Sequence, residues 1–244
     1  MIIINAGLPK SGTTLVQQYQ IDLIDFSNPS NGQLEIFNYG YNIDVYSDSS
    51  NRGFFVDIDE PAFQLLTSIE SEYGDFVVKT HCVPNLWIHK MITENGAKAT
   101  FCYRDLRDII LSALDHGKRT RAEMDRSGAY RDLQTIGQGI DRIKQWFEMF
   151  VKWQSFEKVL MIKYEEMMYD KEAFLITLSS HLQLSLPESD IFAILAKHES
   201  LKHSAWNFNV GKIYRWRDEM SREQIQECNE ALREEILYLG YSLD

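Results

Sequence analysis

The chain of 244 residues lacks three features that would narrow its function at once: paired cysteines, metal-binding patterns and long apolar runs. Its three cysteines, Cys82, Cys102 and Cys228, show no paired spacing, so we expect reduced thiols that pack in a core. The cysteines and the six histidines form no metal-ligand pattern, so we predict no metal. No apolar window approaches the ~20 residues that a membrane helix needs, so we expect no membrane partner. These absences predict a cytoplasmic protein.

The chain also lacks net positive charge. Asp and Glu together number 36 against 25 Lys and Arg, which gives a formal net charge of -11 at pH 7. This balance argues against a nucleic-acid partner. Hydrophobic content of 44% and aromatic content of 12% supply ample core material. We find no internal repeat and no linker, so we predict a single domain over residues 1–244.

Short apolar runs alternate with amphipathic segments along the chain. The apolar runs that predict strands are 1–4, 76–79, 99–103 and 159–164. The segments that predict helices are 13–24, 61–73, 86–93, 105–114, 133–156, 171–182, 188–197 and 221–237. This alternation predicts an α/β fold of three layers, in which helices flank a central, mainly parallel sheet. Residues 27–53 are rich in turn formers, which indicates either a wall of an acceptor pocket or a loop on the surface. The charged residues 118–132 indicate either a helix that acts as a lid or a helix exposed to solvent.

One glycine-rich turn follows the first strand and reads Gly7-Leu8-Pro9-Lys10-Ser11-Gly12-Thr13-Thr14. Its glycines allow successive N–H groups to point inward, and the helix that follows adds a positive N-terminal dipole, so the turn suits a phosphate. In the usual triphosphate loop, a lysine directly follows the second glycine. Here Thr13 stands at that position and the lysine is Lys10, which we expect near the phosphate held by the loop itself.

The segment 9–14 resembles the 5′-phosphosulfate loop of the sulfotransferases that use 3′-phosphoadenosine-5′-phosphosulfate (PAPS). Two further segments match this family in its own order: Lys79-Thr80-His81 with Pro84, and Tyr103-Arg104-Asp105 through Asp108 to Ser112. Both follow predicted strands, at the sheet edge where ligands gather in open α/β folds. The resemblance implies a P-loop-type fold and transfer of a sulfuryl group from PAPS, with 3′-phosphoadenosine-5′-phosphate (PAP) as the product.

The resemblance also implies catalytic roles for His81, Lys10 and Lys79. His81 would be the general base, and an imidazole with its ordinary pKa of about 6.5 is largely neutral at cellular pH. A structural histidine is the alternative. Lys10, Lys79 and backbone N–H groups would stabilise the departing phosphate. The residues predicted to bind the donor around the loop are Lys10, Ser11, Gly12, Thr13, Thr14 and Leu15.

Further donor-binding residues follow from the resemblance. Arg104 and Ser112 would bind the 3′-phosphate, although Arg104 paired with Asp105 or Asp108 on the surface is the alternative. Tyr164 would lie near the adenine, or would be an ordinary buried tyrosine. Gly211 and Lys212 would offer backbone N–H groups to the 3′-phosphate.

The chain departs from the family pattern at two places. Asn209-Val210 stand where Arg-Lys are usual, so Lys212 or Arg215 would have to supply the positive charge. Leu15 stands where many members have a tryptophan that stacks on adenine, which leaves Trp206 or Trp216 as alternative rings.

The acceptor is predicted only as a small molecule with a hydroxyl group. A phenol, an alcohol, a sugar and a natural product all remain open, as do transfer to nitrogen and the oligomeric state. Tyr39, Tyr41 and Tyr46 are candidates to border its pocket. Two alternative functions are a P-loop kinase for a nucleotide or small molecule, which the missing lysine at position 13 disfavours, and a non-catalytic nucleotide-binding protein, which His81 disfavours.

Overall fold

The computed structural model describes residues 1–28, 45–46, 53–123, 129–201 and 211–244. Within these residues six strands form one sheet in the order β2-β3-β4-β1-β5-β6. The strands are β1 (Ile2–Gly7), β2 (Val45–Tyr46), β3 (Phe54–Phe55), β4 (Phe76–Thr80), β5 (Lys98–Tyr103) and β6 (Val159–Lys163). The short β2 pairs antiparallel with β3, and all other neighbours pair in parallel. The predicted α/β fold with a mainly parallel sheet is confirmed.

The helices of the described residues follow the strands in alternation. They are α1 (Thr13–Ser27), α2 (Glu60–Tyr73), α3 (Leu86–Thr93), α4 (Leu106–Glu123), α5 (Ile136–Gln154), α6 (Tyr164–Tyr169), α7 (Lys171–His181), α8 (Glu188–Leu201), α9 (Trp216–Glu219), α10 (Arg222–Ala231) and α11 (Arg233–Tyr238). Residues 118–123 prolong α4 instead of forming a separate helix. The predicted helix 221–237 is two helices, because the backbone at Leu232 leaves the helical conformation.

The central strand β1 is buried along its whole length, as expected for a strand with parallel neighbours on both sides. One of its faces turns towards α1: the amide of Asn5 donates to the carbonyl of Thr13 at 2.7 Å. In β5, Thr100 lies on the same face and accepts a hydrogen bond from Gln20 of α1 at 2.9 Å. Helix α1 therefore covers this face and is held to it by buried polar contacts.

Aromatic side chains cover the opposite face of the sheet. Phe101, which follows Thr100 in β5, points the other way and contacts Phe150 and Trp153 of α5, with ring centroids 5.8 and 6.0 Å apart. The indole N–H of Trp153 also donates to the carbonyl of Cys82 at 3.0 Å. The sheet thus lies between helices, as the predicted three layers require.

By their internal contacts the residues form two compact units. The first contains the sheet and comprises Met1–Leu8, Gly12–Tyr103 and Met149–Phe208; the second comprises Pro9–Ser11, Arg104–Glu148 and Asn209–Asp244. The single domain predicted for residues 1–244 stays a prediction.

A buried carboxylate joins α1 to α8 within the first unit. Asp22 accepts hydrogen bonds from Lys197 at 2.6 Å and from His198 at 2.8 Å. Burial alone would raise the pKa of Asp22, but these two hydrogen bonds outweigh it and the pKa lies below its ordinary value. We call this contact the Asp22 clasp; it holds α1, and with it the helix start that follows the glycine-rich turn.

Candidate functional site

The turn between β1 and α1 contains two residues in the left-handed region of backbone space. Lys10 has φ 69° and Gly12 has φ 105°. Gly12 precedes α1, and an α-helix leaves the N–H groups of its first turn without an acceptor inside the helix. Thr13 and Thr14 open that turn at the positive end of the helix dipole, so the backbone here suits an anionic group.

Gly7 ends β1 at a point where no side chain fits. A Cβ atom there would lie 2.6 Å from the carbonyl oxygen of Cys102 and 2.5 Å from Cγ2 of Thr13. The N–H of Leu8 donates to the same carbonyl at 2.9 Å. Glycine therefore allows the end of the strand and the start of the helix to approach this closely.

Tyr164 covers the other glycine of the turn. A Cβ atom on Gly12 would lie 2.6 Å from Cδ2 of the Tyr164 ring, so the ring is packed directly on the backbone. Tyr164 is buried and is the first residue of α6, not the end of a strand as predicted. Its position beside Gly12 places it at the glycine-rich turn, and its contact with adenine stays a prediction.

Lys79 reaches the start of α1 from the neighbouring strand. Its ammonium group donates to the hydroxyl oxygen of Thr14 at 2.8 Å. Lys79 lies beside Asn5 in the register of β4 and β1, and Asn5 bonds to the same helix start. Two of the predicted site residues, Lys79 and Thr14, are thus brought together.

His81 follows β4 directly, and its ring is held by the backbone of β1. Its Nδ1 atom lies 2.7 Å from the carbonyl oxygen of Gly7. Because a carbonyl oxygen only accepts, Nδ1 carries the hydrogen of this bond. In the neutral ring the lone pair is then on Nε2, which is the atom able to take a proton.

An aromatic ring that sequence reasoning missed lies beside both of these basic groups. The ring of Phe54 is 5.5 Å from the ring of His81 and 6.0 Å from the ammonium nitrogen of Lys79. Its strand, β3, pairs in parallel with β4 and sets Phe54 opposite Lys79. Two residues are too short for strand periodicity; the signal available was the aromatic pair Phe54-Phe55 directly after a loop.

Lys10 belongs to the second unit, where it contacts α4 and the turn that precedes α5. Its ammonium nitrogen is 3.1 Å from Nδ1 of His116 and 5.6 Å from the ring centroid of Tyr130. His116 was not among the site residues predicted from the sequence. The available signal was spacing, since His116 lies one helical turn after Ser112 and on the same face of α4.

Arg104, at the start of the second unit, is buried and hydrogen-bonded on two sides. Its Nη2 atom donates to Asp108 at 2.9 Å and to the carbonyl oxygen of Lys212 at 2.6 Å. Burial raises the pKa of the Asp108 carboxyl, although Arg104 and the N–H of Trp216 act in the opposite direction. The expected alternative of a pair between Arg104 and Asp108 is thus present, but it is buried instead of lying on the surface. Ser112 is buried two helical turns further along α4.

A second ion pair of this unit, between Arg107 and Asp105, was not predicted from the sequence. Arg107 is 1% exposed and donates to both oxygens of Asp105. Its guanidinium lies over the ring of Trp216, 3.6 Å from the centroid, and the indole N–H of Trp216 donates to Asp105 at 3.1 Å. Trp216 is therefore a packing residue of this network, 3% exposed, rather than a ring open to a base.

The described part of the C-terminal loop begins at Gly211, which has φ 64°. The ammonium group of Lys212 is exposed and pairs with Asp218, while its backbone carbonyl accepts from Arg104. Arg215 is buried and pairs with Asp115 and Glu219. The positive charges of Lys212 and Arg215 are thus balanced by carboxylates, and their contribution to the 3′-phosphate stays a prediction.

Comparison with known proteins decides the family. The sequence profile of the sulfotransferase domain matches residues 2–239. The chain belongs to the sulfotransferase family. It is therefore an enzyme of the class that transfers a sulfuryl group from PAPS. A comparison with curated protein sequences gave no match.

Solved structures share the fold of this sulfotransferase. Mouse sulfotransferase SULT7A1 complexed with PAP superposes with a TM-score of 0.61 at 14% identity, covering 97% of this chain and 84% of that chain. Retinol dehydratase in complex with androsterone and PAP superposes with a TM-score of 0.61 at 17% identity, covering 96% of this chain and 80% of that chain. These matches confirm the P-loop-type α/β fold.

Some predictions for this sulfotransferase fall on parts of the chain that the structure does not describe. Tyr39, Tyr41, Trp206, Asn209 and Val210 lie outside the described residues, as does the side chain of Tyr46. Across the ranges that are described, no group of three or more His, Cys, Asp or Glu side chains could hold a metal ion. None of the helices in those ranges combines the length and apolar character needed to cross a membrane.

Proposed function

We propose that this sulfotransferase transfers the sulfuryl group to a hydroxyl of a small apolar molecule, with His81 as general base. PAPS supplies an activated sulfuryl group whose leaving group is the 5′-phosphate of PAP. The acceptor oxygen forms the bond to sulfur while the bond from sulfur to that phosphate breaks, and the hydroxyl proton passes to Nε2 of His81. The observation that carries the proposal is the bond between Nδ1 of His81 and the Gly7 carbonyl, which leaves Nε2 as the basic atom.

Positive charge for the departing phosphate comes, in this proposal, from Lys10 and Lys79. Lys79 donates to the hydroxyl oxygen of Thr14, which carries no charge. The N–H groups from Ser11 to Thr14 add donors at the helix start, with Gly12 in the conformation that turns the backbone there. Arg104, Ser112, Gly211 and Lys212 bind the 3′-phosphate, and Leu15 and Tyr164 contact the adenosine.

The apolar character of the acceptor is inferred from the surroundings of His81. Phe54 lies against its ring, and two exposed apolar side chains belong to the segments that follow β3 and β4: Val56 is 52% exposed and Leu86 is 61% exposed. A hydrogen bond of 3.1 Å from Asn85 to Asp57 joins these two segments. Retinol dehydratase has been solved with androsterone and with retinol, both largely apolar molecules that carry a hydroxyl group.

Donor binding is tested by calorimetry with four ligands: PAP, AMP, ADP and ATP–Mg²⁺. AMP matches PAP except for the 3′-phosphate, so the pair isolates this group without any mutation. We expect PAP to bind at least a hundredfold more tightly than AMP, since a phosphate held by charged donors contributes several kcal/mol. Equal affinity for PAP and AMP, or preference for ATP–Mg²⁺, would overturn the proposal and favour the kinase alternative.

Acceptor class is tested by sulfuryl transfer to a matched panel. The apolar arm contains 2-naphthol and 1-decanol, and the polar arm contains a monosaccharide and an amino sugar. Transfer to the apolar arm alone supports the proposal. Transfer to the polar arm alone contradicts the apolar acceptor but leaves His81 as base, and transfer only to the amine contradicts a hydroxyl acceptor.

We also propose that this enzyme forms a single domain, needs no metal ion and acts in the cytoplasm. None of the three cysteines forms a disulfide, and Cys102 and Cys228 are buried, which suits a reducing compartment. Turnover that survives a chelator, and a single unfolding transition, are the results that this proposal requires.

A further inference from the structure

The ammonium group of Lys10 has an imidazole as a neighbour. Its nitrogen lies 3.1 Å from Nδ1 of His116, within hydrogen-bonding distance. A lysine ammonium has three hydrogens and no acceptor, so in this contact Nδ1 of His116 accepts. The imidazole is therefore neutral, with its hydrogen on Nε2. This is the reverse of His81, whose Nδ1 donates to a carbonyl.

A turn over residues 129–133 completes the surroundings of this ammonium group. The ring of Tyr130 contacts the ring of His116, with centroids 5.1 Å apart, and lies 5.6 Å from the Lys10 nitrogen. On its far side Tyr130 meets Trp146 of α5 edge-on at 6.1 Å. The cation thus has a neutral acceptor on one side and an aromatic ring on another.

The turn is fixed to α4 next to His116. A Cβ atom on Gly117 would lie 2.2 Å from the carbonyl oxygen of Tyr130, so the turn rests directly on the helix backbone. Arg121 donates to the carbonyl oxygens of Arg131 and Leu133, both at 2.9 Å. Tyr130 itself has φ 60°, and its neighbour Lys10 has φ 69°. Two non-glycine residues held in the left-handed region mark a contact that the surrounding structure maintains.

We propose that His116 is a positioning residue for Lys10. By accepting one hydrogen of the ammonium group, the neutral ring fixes the direction in which the group approaches the 5′-phosphate. Tyr130 confines the same group from its aromatic face. The inference rests on the proposed function, in which Lys10 stabilises the departing phosphate, and it adds a residue that no part of the family resemblance assigned.

The test measures how much the 5′-phosphate contributes to binding, which needs no acceptor. Calorimetry gives the dissociation constants of PAP and of adenosine 3′-monophosphate, which lacks only the 5′-phosphate. The dissociation constant of adenosine 3′-monophosphate divided by that of PAP is the ratio to compare; it is large when the 5′-phosphate contributes strongly to binding. This ratio is measured in the wild type and in His116→Phe, His116→Asn, Lys10→Met and the double variant Lys10→Met/His116→Phe. Phenylalanine keeps the ring contact with Tyr130 but cannot accept a hydrogen bond, whereas the Asn side-chain oxygen falls close to the place of Nδ1.

We expect His116→Phe to lower this ratio about tenfold, with the affinity for adenosine 3′-monophosphate unchanged. His116→Asn should restore the ratio, and His116→Phe should have no further effect once Lys10 is Met. If Lys10→Met lowers the ratio and His116→Phe does not, the positioning role is wrong and the proposed function stands. If Lys10→Met leaves the ratio unchanged, the role of Lys10 itself is wrong. An increased ratio in His116→Phe would mean that the imidazole holds Lys10 back, and would also overturn the inference.

Discussion

Lys79 and His81 of the first unit and the buried arginines of the second unit are anchored by different kinds of partner. In the first unit, Lys79 is held by a hydroxyl oxygen and His81 by a carbonyl oxygen, both of them neutral. In the second unit, three buried arginines are held by carboxylates. These pairs are Arg104 with Asp108, Arg107 with Asp105 and Arg215 with Asp115.

A neutral anchor and a charged anchor have different consequences. A neutral oxygen fixes the direction of a basic group without neutralising it, so the group keeps its charge or its proton affinity for a ligand. A buried carboxylate neutralises its partner, and each member then depends on the other for its stability in the interior. Changes at Lys79 and His81 should therefore affect mainly activity, and changes at the carboxylates of the buried pairs should affect mainly stability.

The largest effect is expected at His81. His81→Ala should lower the rate of sulfuryl transfer about a thousandfold, because the acceptor loses its base. Its midpoint of urea unfolding should change little, since the hydrogen bond from His81 to the Gly7 carbonyl is worth about 1 kcal/mol. His89→Ala, which removes a histidine of α3 in the same unit, is the control and should retain full activity. A rate within tenfold of the wild type would refute the role of His81.

A large loss of stability is expected at Asp108. Asp108→Ala leaves Arg104 buried without its carboxylate and should lower the free energy of unfolding by about 3–5 kcal/mol. Urea unfolding monitored by tryptophan fluorescence measures this. The exposed pair of Asp132 and Arg142 provides the control, because Asp132→Ala should leave the midpoint nearly unchanged. Similarly small changes in the free energy of unfolding of both variants would contradict the distinction between neutral and carboxylate anchors.

A smaller effect is expected at Phe54. Phe54→Ala should raise KM for 2-naphthol about tenfold, since the aromatic surface beside His81 is lost. The dissociation constant of PAP should stay the same. Phe54→Leu keeps an apolar surface, so its KM for 2-naphthol should lie between those of the wild type and Phe54→Ala. A changed PAP affinity with an unchanged KM would place Phe54 on the donor side instead.

The smallest effect is expected at the Asp22 clasp, a carboxylate pair inside the first unit. The pKa of Asp22 is lowered below 3.8 in the folded protein, so its stabilisation is present above that pH and is lost as the pH falls through and below it. In Asp22→Asn the free energy of unfolding should decrease less between pH 6 and pH 3 than in the wild type. We expect the difference to be about 1 kcal/mol or less, because Lys197 is half exposed. Urea unfolding at pH 6, 4 and 3 measures the slope, and PAP affinity should not change.

Much of the fold was predictable because its buried strands are continuous apolar runs. β4, β5 and β6 were found within one residue of their ends, whereas β1 continues three residues beyond its predicted end, and His81 and Arg104 follow strands as expected. β3 was missed because two residues have no periodicity. The start of α6 at Tyr164 was also missed, since the chain passes from β6 into the helix without a turn residue.

The contacts that complete the site were not predictable from local sequence. His116 and Lys10 are 106 residues apart, and nothing in either neighbourhood indicates that they meet. Likewise, the buried state of Arg104 depends on the carbonyl of Lys212, 108 residues away. The motifs predict which residues form the site, whereas the partners of these residues depend on tertiary packing.

The bond from His81 to the Gly7 carbonyl has a consequence for engineering the enzyme. The atom that selects the tautomer of the base belongs to the main chain, so exchanging the side chains around His81 for a new acceptor leaves that atom in place. Gly7 itself cannot be exchanged in a library of variants, because a Cβ atom at this position would clash with Cys102 and Thr13. Under the proposed mechanism, acceptor specificity can therefore be redesigned while the main chain at a glycine continues to orient His81.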